Sequence, residues 1–186
     1  MDSNWVVSEP ISNFVVRNLL RFLSDIISNM SEKVFHGSPK IFDAETANPR
    51  LNERINENGE VIFSEESFHA TPHEWIALAY TYTPKPIEGL SGDNAFYNMG
   101  VNLYSDEKTV VIFGIGSLEE SLVHLYGQGG YLYHFDNGDF VYKEGLGSQE
   151  VISTSPTTPL HMERIEDPVK RMTELGVTFD FVDVSK

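Results

Sequence analysis

Apolar residues recur at helical spacing over residues 11–30: Ile11, Val15, Leu19, Phe22, Leu23, Ile26, Ile27 and Met30 form one stripe, while Arg17, Arg21 and Asp25 take other positions. Ser8 and Pro10 supply start signals for that helix. From residue 33 the pattern changes to short extended runs, the first over residues 33–38. Residues 40–60 show no period and contain Asn48-Pro49-Arg50 and Asn58-Gly59, so they read as one long loop, a kind that often carries function. Residues 60–63 and 67–70 read as two further short strands. Thr71-Pro72-His73-Glu74 then predicts a helix, with Thr71 as cap, Pro72 in the first turn and Glu74 closing a capping box; it runs through Tyr80 and stops before Pro84 and Pro86.

Residues 84–107 are turn-rich and read as loop. The continuous apolar run Thr109-Val110-Val111-Ile112-Phe113-Gly114 predicts a central strand. Ser117-Leu118-Glu119-Glu120 is a second capping box, opening a helix that ends at Gly127, Gly129 and Gly130. Residues 131–135 and 140–143 read as a hairpin joined through Asp136-Asn137-Gly138, and residues 151–154 as a strand. Asp167-Pro168 opens a last helix, closed by Gly176. Val177, Phe179 and Phe181 alternate as a final strand, and the phase slip at Val182 and Val184 predicts a bulge or a strand end there. Hairpins with few alternating βα units point to an α+β fold with largely antiparallel sheets, not a doubly wound one. The expected organisation is an N-terminal helical appendage over residues 1–32 and one domain over residues 33–186. The apolar stripe of the appendage would pack on the domain core or, alternatively, on a partner or a second copy of the chain.

Composition narrows the partners. Thirteen basic against 28 acidic residues among 186 give a net charge of −15. Phosphate backbones are gripped by Lys and Arg, so this balance disfavours nucleic acid, and it disfavours an anionic membrane surface equally. The absence of cysteine excludes disulfides, thiolate metal sites and a cysteine nucleophile, and fits a cytoplasmic setting. No secretory leader and no apolar run long enough to span a bilayer are visible, so no membrane is expected.

Two stretches carry candidate chemistry. Val34-Phe35-His36-Gly37-Ser38-Pro39 reads as a strand ending abruptly in a histidine, a glycine whose backbone a ligand can approach, and a short hydroxyl. Over a hundred residues on, Glu150 stands alone before an apolar strand, where a desolvated carboxylate can stabilise developing positive charge. Tyr80, on the second helix, offers an aromatic face. Gly114-Ile115-Gly116-Ser117 lacks a third glycine and reads as a turn. His69 and His73 straddle a strand–helix boundary and no acidic residue stands at metal-ligand spacing from them, so no zinc site, and no metal of any kind, is expected.

The set His36-Gly37-Ser38, then Phe68-His69-Ala70 with Tyr80 beyond it, then Glu150-Val151-Ile152-Ser153 resembles the ADP-ribosyltransferase fold, in its diphtheria-toxin and poly-ADP-ribose-polymerase branch with a His-Tyr-Glu site. The resemblance covers residues 33–184 and implies split antiparallel sheets with short helices. It implies that NAD is the substrate, with His36 holding the adenosine ribose, the Gly37 backbone pairing with the nicotinamide amide, Ser38 nearby, Phe68 and Tyr80 against the nicotinamide, and Glu150 catalytic. It implies transfer of ADP-ribose to an acceptor, for which the charge favours a protein over a nucleic acid. The chain departs from the pattern where Phe68 replaces a tyrosine and where Ile76 or Ala77 replaces a serine, and Tyr82 is an alternative to Tyr80. These departures leave a second reading, a module without chemistry that binds NAD, ADP-ribose or a protein partner; water as acceptor gives a third, an NAD glycohydrolase.

Overall fold

A computed structural model describes residues 33–42, 47–56, 58–90, 95–103 and 105–185. The helix expected over residues 11–30, and with it the appendage, lies outside them. The described strands are β1 (Lys33–Ser38), β2 (Arg50–Ile55), β3 (Val61–Ala70), β4 (Lys85–Pro86), β5 (Phe96–Val101), β6 (Thr109–Gly114), β7 (Gly130–Asp136), β8 (Val151–Ser153), β9 (His161–Ile165) and β10 (Thr178–Asp183). The helices are α1 (Glu74–Ala79), α2 (Leu118–Tyr126) and α3 (Pro168–Glu174). The fold is mixed α+β, mostly sheet with few short helices. Three sheets have the strand orders β1-β7-β9, β10-β6-β5-β4 and β2-β3-β8. Every pairing is antiparallel except β10 with β6.

Several sequence expectations are corrected. Residues 40–60 are not one loop, because β2 lies within them and pairs with β3. The two short strands expected at 60–63 and 67–70 are one ten-residue strand. β2 carries almost no buried side chain, so it has no apolar alternation to betray it. β4 and β5 interrupt the loop expected at 84–107, and β9 went unforeseen. Residues 140–143 do not return along β7. The Asp136 side chain accepts from the Gly138 N–H (2.8 Å) and starts a 3-10 turn that carries the chain away, leaving Val141 bridged to Ile152. β10 pairs in register with β6 through Asp183, so the slip at Val182 is no bulge.

Helix caps follow the sequence in two cases of three. Ser117 Oγ accepts from the Glu120 N–H at 3.2 Å, and Asp167 Oδ1 from the Lys170 N–H at 2.9 Å. At α1 the capping box is absent. Thr71 is held in a backbone bridge to Phe35, so the helix starts later, with His73 as its first flanking residue and no side-chain cap. Glu74 instead pairs with Arg171 of α3. All of Trp75, Ile76, Ala77, Leu78 and Ala79 are buried, which places α1 in the main core with Val110, Ile112, Leu125, Leu132 and Met172.

Candidate active site

β1 is built so that its end opens onto a cleft. The Phe35 N–H donates to the Thr71 carbonyl (2.7 Å), and the Phe35 carbonyl accepts from the Thr71 N–H (2.9 Å). Phe35 therefore turns its backbone groups away from β7. In an antiparallel ladder that direction repeats every second residue, so the N–H and C=O of Gly37 also face away from β7. They have no backbone partner among the described residues. A Cβ on Gly37 would lie 1.6 Å from the Ala77 carbonyl oxygen, so only glycine lets β1 and α1 meet this closely.

The cleft has a volume of about 830 Å³, within the range of small-molecule sites. His36, Gly37, Ser38, Phe68, Tyr80 and Glu150 all line it. The His36 ring stacks at a tilt against Phe68, with centroids 4.6 Å apart. Its Nδ1 lies 2.9 Å from the His69 carbonyl oxygen, which can only accept, so Nδ1 carries the proton and Nε2 is left as an acceptor. Burial pushes the His36 pKa down, more than the carbonyl raises it, which favours the neutral ring.

Ser38 donates its hydroxyl to the Lys40 carbonyl (2.7 Å), so that group serves the turn. Phe68 packs edge-on to Phe135 and Phe140 and belongs to the core as much as to the cleft. Tyr80 follows α1 and is 40% exposed. Burial, and then the charge of Glu150, pushes its phenol pKa up. Tyr82 packs on the core and does not line the cleft.

Glu150 is no exposed loop residue, since only 8% of its surface remains. The loop before it is latched to Leu103 and Asp106: the Gln149 N–H donates to the Leu103 carbonyl (3.1 Å), and the Gln149 side chain donates to Asp106 (2.8 Å). Gly147 permits the approach, because a Cβ there would lie 2.4 Å from Cβ of Leu103. Glu150 Oε1 accepts from His69 Nδ1 at 2.6 Å and from an Arg54 guanidinium nitrogen at 2.7 Å. Oε2 has no partner among the described residues. Burial pushes the carboxyl pKa up, but the His69 hydrogen bond and the Arg54 charge more than offset this and hold it below the usual carboxylate range.

His69 and Arg54 are the site residues that the sequence reading missed. Their signal is an alternation. Arg50, Asn52 and Arg54 share one face of β2, and Ser67 and His69 continue it on β3 through the Arg50–Ser67 register. His73 sits at the start of α1, apart from His69, and among the described residues no cluster of His, Cys, Asp or Glu has metal-ligating geometry. Among the described residues no helix is long and apolar enough to cross a membrane. Comparison with family models, curated proteins and solved structures finds no match to this chain.

Proposed function

We propose that the domain has the ADP-ribosyltransferase fold and transfers ADP-ribose from NAD to an acceptor, releasing nicotinamide. The observation that carries this reading is that one cleft gathers His36 and Gly37 from β1, Phe68 from β3, Tyr80 after α1 and Glu150 before β8. The N–H and C=O of Gly37, which have no backbone partner among the described residues, match the acceptor and donor of a carboxamide. Neutral His36, protonated at Nδ1, accepts at Nε2 from a ribose hydroxyl. Tyr80 offers a ring face to the nicotinamide.

In the transfer, the bond between nicotinamide nitrogen and ribose carbon breaks and nicotinamide leaves with the electron pair as a neutral base. The ribose gains oxocarbenium character. Ionised Glu150, which lines the cleft, holds a ribose hydroxyl and stabilises that charge. The acceptor nucleophile bonds to the same carbon and loses its proton to Glu150 or solvent. A protein acceptor fits a chain of net charge −15 better than a nucleic acid does; water as acceptor makes the protein an NAD glycohydrolase. The losses at Phe68, which lacks a hydroxyl, and at Ala77 favour a second reading, a module that binds NAD or ADP-ribose without chemistry.

The experiment is nicotinamide release from NAD, followed by chromatography, beside NAD binding by calorimetry. Glu150→Gln should keep NAD affinity within a few-fold and lose at least about 100-fold in turnover. Binding without any release selects the binding module. Neither binding nor release overturns both readings.

A further inference from the structure

We propose that His69 is the positioning residue of this cleft: its side chain aims the Glu150 carboxylate while its carbonyl aims the His36 ring, so one residue of β3 sets both walls. The kinetic consequence rests on the ADP-ribosyl-transfer reading; the geometry does not.

A glutamate has three rotatable side-chain bonds, and at a strand start its own backbone does not fix them. Here two donors fall on Oε1, which directs Oε2 away from them. Of the two, Arg54 is 45% exposed at its side chain and His69 only 19%. The exposed guanidinium is the mobile and salt-screened partner. The imidazole is the rigid one, because both its nitrogens are engaged. Nδ1 reaches Glu150 at 2.6 Å, and Nε2 lies 3.0 Å from Ser67 Oγ. Asn52 in turn donates to the Ser67 carbonyl at 2.7 Å, which ties the chain Asn52–Ser67–His69–Glu150 to the β2–β3 ladder. On the backbone side, the His69 carbonyl fixes the tautomer of His36.

The order hydroxyl, imidazole, carboxylate is also that of a nucleophilic relay. Ser67 keeps only 2% of its surface, so it holds the ring and does not attack a substrate.

His69→Leu removes the donor, and His69→Asn restores an N–H near the position of Nδ1. The charged and titratable groups facing Glu150 are Arg54 from β2, His69 from β3 and Tyr80 after α1. In His69→Leu, kcat should fall about 10–100-fold, with KM for NAD within about threefold, because a misplaced carboxylate loses transition-state contacts and not ground-state binding. His69→Asn should recover turnover to within about threefold of wild type, which a general proton-relay role would not allow. Carboxyl-carbon NMR titration of Glu150 gives a readout independent of activity: its midpoint should rise in His69→Leu and stay low in His69→Asn. In the wild-type protein the Nδ1 proton of His69 should be visible far downfield and move in Glu150→Gln, which tests the contact even where a variant unfolds.

An unchanged Glu150 titration in folded His69→Leu, no such proton in the wild type, or labelling of Ser67 by a fluorophosphonate overturns the proposal. If wild type releases no nicotinamide yet the titration moves as stated, the transfer reading fails and the positioning role stands. If wild type turns over and His69→Leu matches it, the reverse holds.

Discussion

Gly37 is the residue with least freedom in the site. Its missing Cβ makes room for the Ala77 carbonyl, and its backbone groups face the cleft. Gly37→Ala should therefore destabilise the protein by about 3 kcal/mol or more, since backbone and not a flexible side chain must move; a lowered urea midpoint checks it. Burial depresses the pKa values of His36, His73 and His134, in each case as the largest effect. The unfolded chain thus binds more protons than the folded one as pH falls through the ordinary value of 6.5. Stability should decline from there down to the folded-state values and then level off with respect to these rings. His36→Gln should flatten part of that decline in urea melts at pH 7.5, 6.5 and 5.5. Glu150 acts in the same direction at lower pH, its depressed pKa giving stability above 4.5 that is lost as pH falls through its folded value. Arg50 lines the cleft beside Arg54 and has no ion-pair partner among the described residues. On the proposed transfer reading, Arg50 is the positive charge that would meet the donor's diphosphate. Arg50→Ala should raise KM for NAD about tenfold and leave kcat near wild type, the mark of uniform binding.

The β2–β3 hairpin is the element that builds the site, because β2 carries Arg54 and β3 carries Phe68 and His69. Its turn is closed by Asn56, whose side-chain oxygen accepts from the N–H groups of Asn58 and Glu60 (3.0 and 2.9 Å), and by Gly59 at φ 82°. A Cβ on Gly59 would meet nothing within 4 Å. Gly59→Ala should cost only the left-handed conformation, about 1 kcal/mol, seen as a shifted urea midpoint at unchanged slope. That hairpin was illegible beforehand for a physical reason. β2 buries so little that it carries no apolar alternation, and β9 is similarly exposed. β6, α2 and α3 were legible because they are, respectively, a continuous apolar run and two helices with caps that local chemistry sets.

At the scale of the whole molecule, a net charge of −15 means that folding concentrates like charges. Screening shortens that repulsion, with a Debye length of roughly 10 Å at 0.1 M salt. Raising NaCl from about 0.02 to about 0.2 M should therefore raise Tm by roughly 2–5 °C, read by scanning calorimetry. The same screening weakens the half-exposed Arg54–Glu150 pair but not the shorter, more buried His69 contact.

Sequence alone determined the mixed α+β character, the strand at His36 and the candidacy of His36, Gly37, Tyr80 and Glu150, because turn glycines, caps and apolar runs act locally. Tertiary structure alone decided that these residues line one cleft, and that Glu150 is gripped by Arg54 and His69. Those contacts span 96 and 81 residues. They depend on the register of the β2–β3 hairpin, whose strand β2 carries no apolar pattern, and on β8 joining β3 across about 80 residues, a long-range pairing that no local pattern encodes.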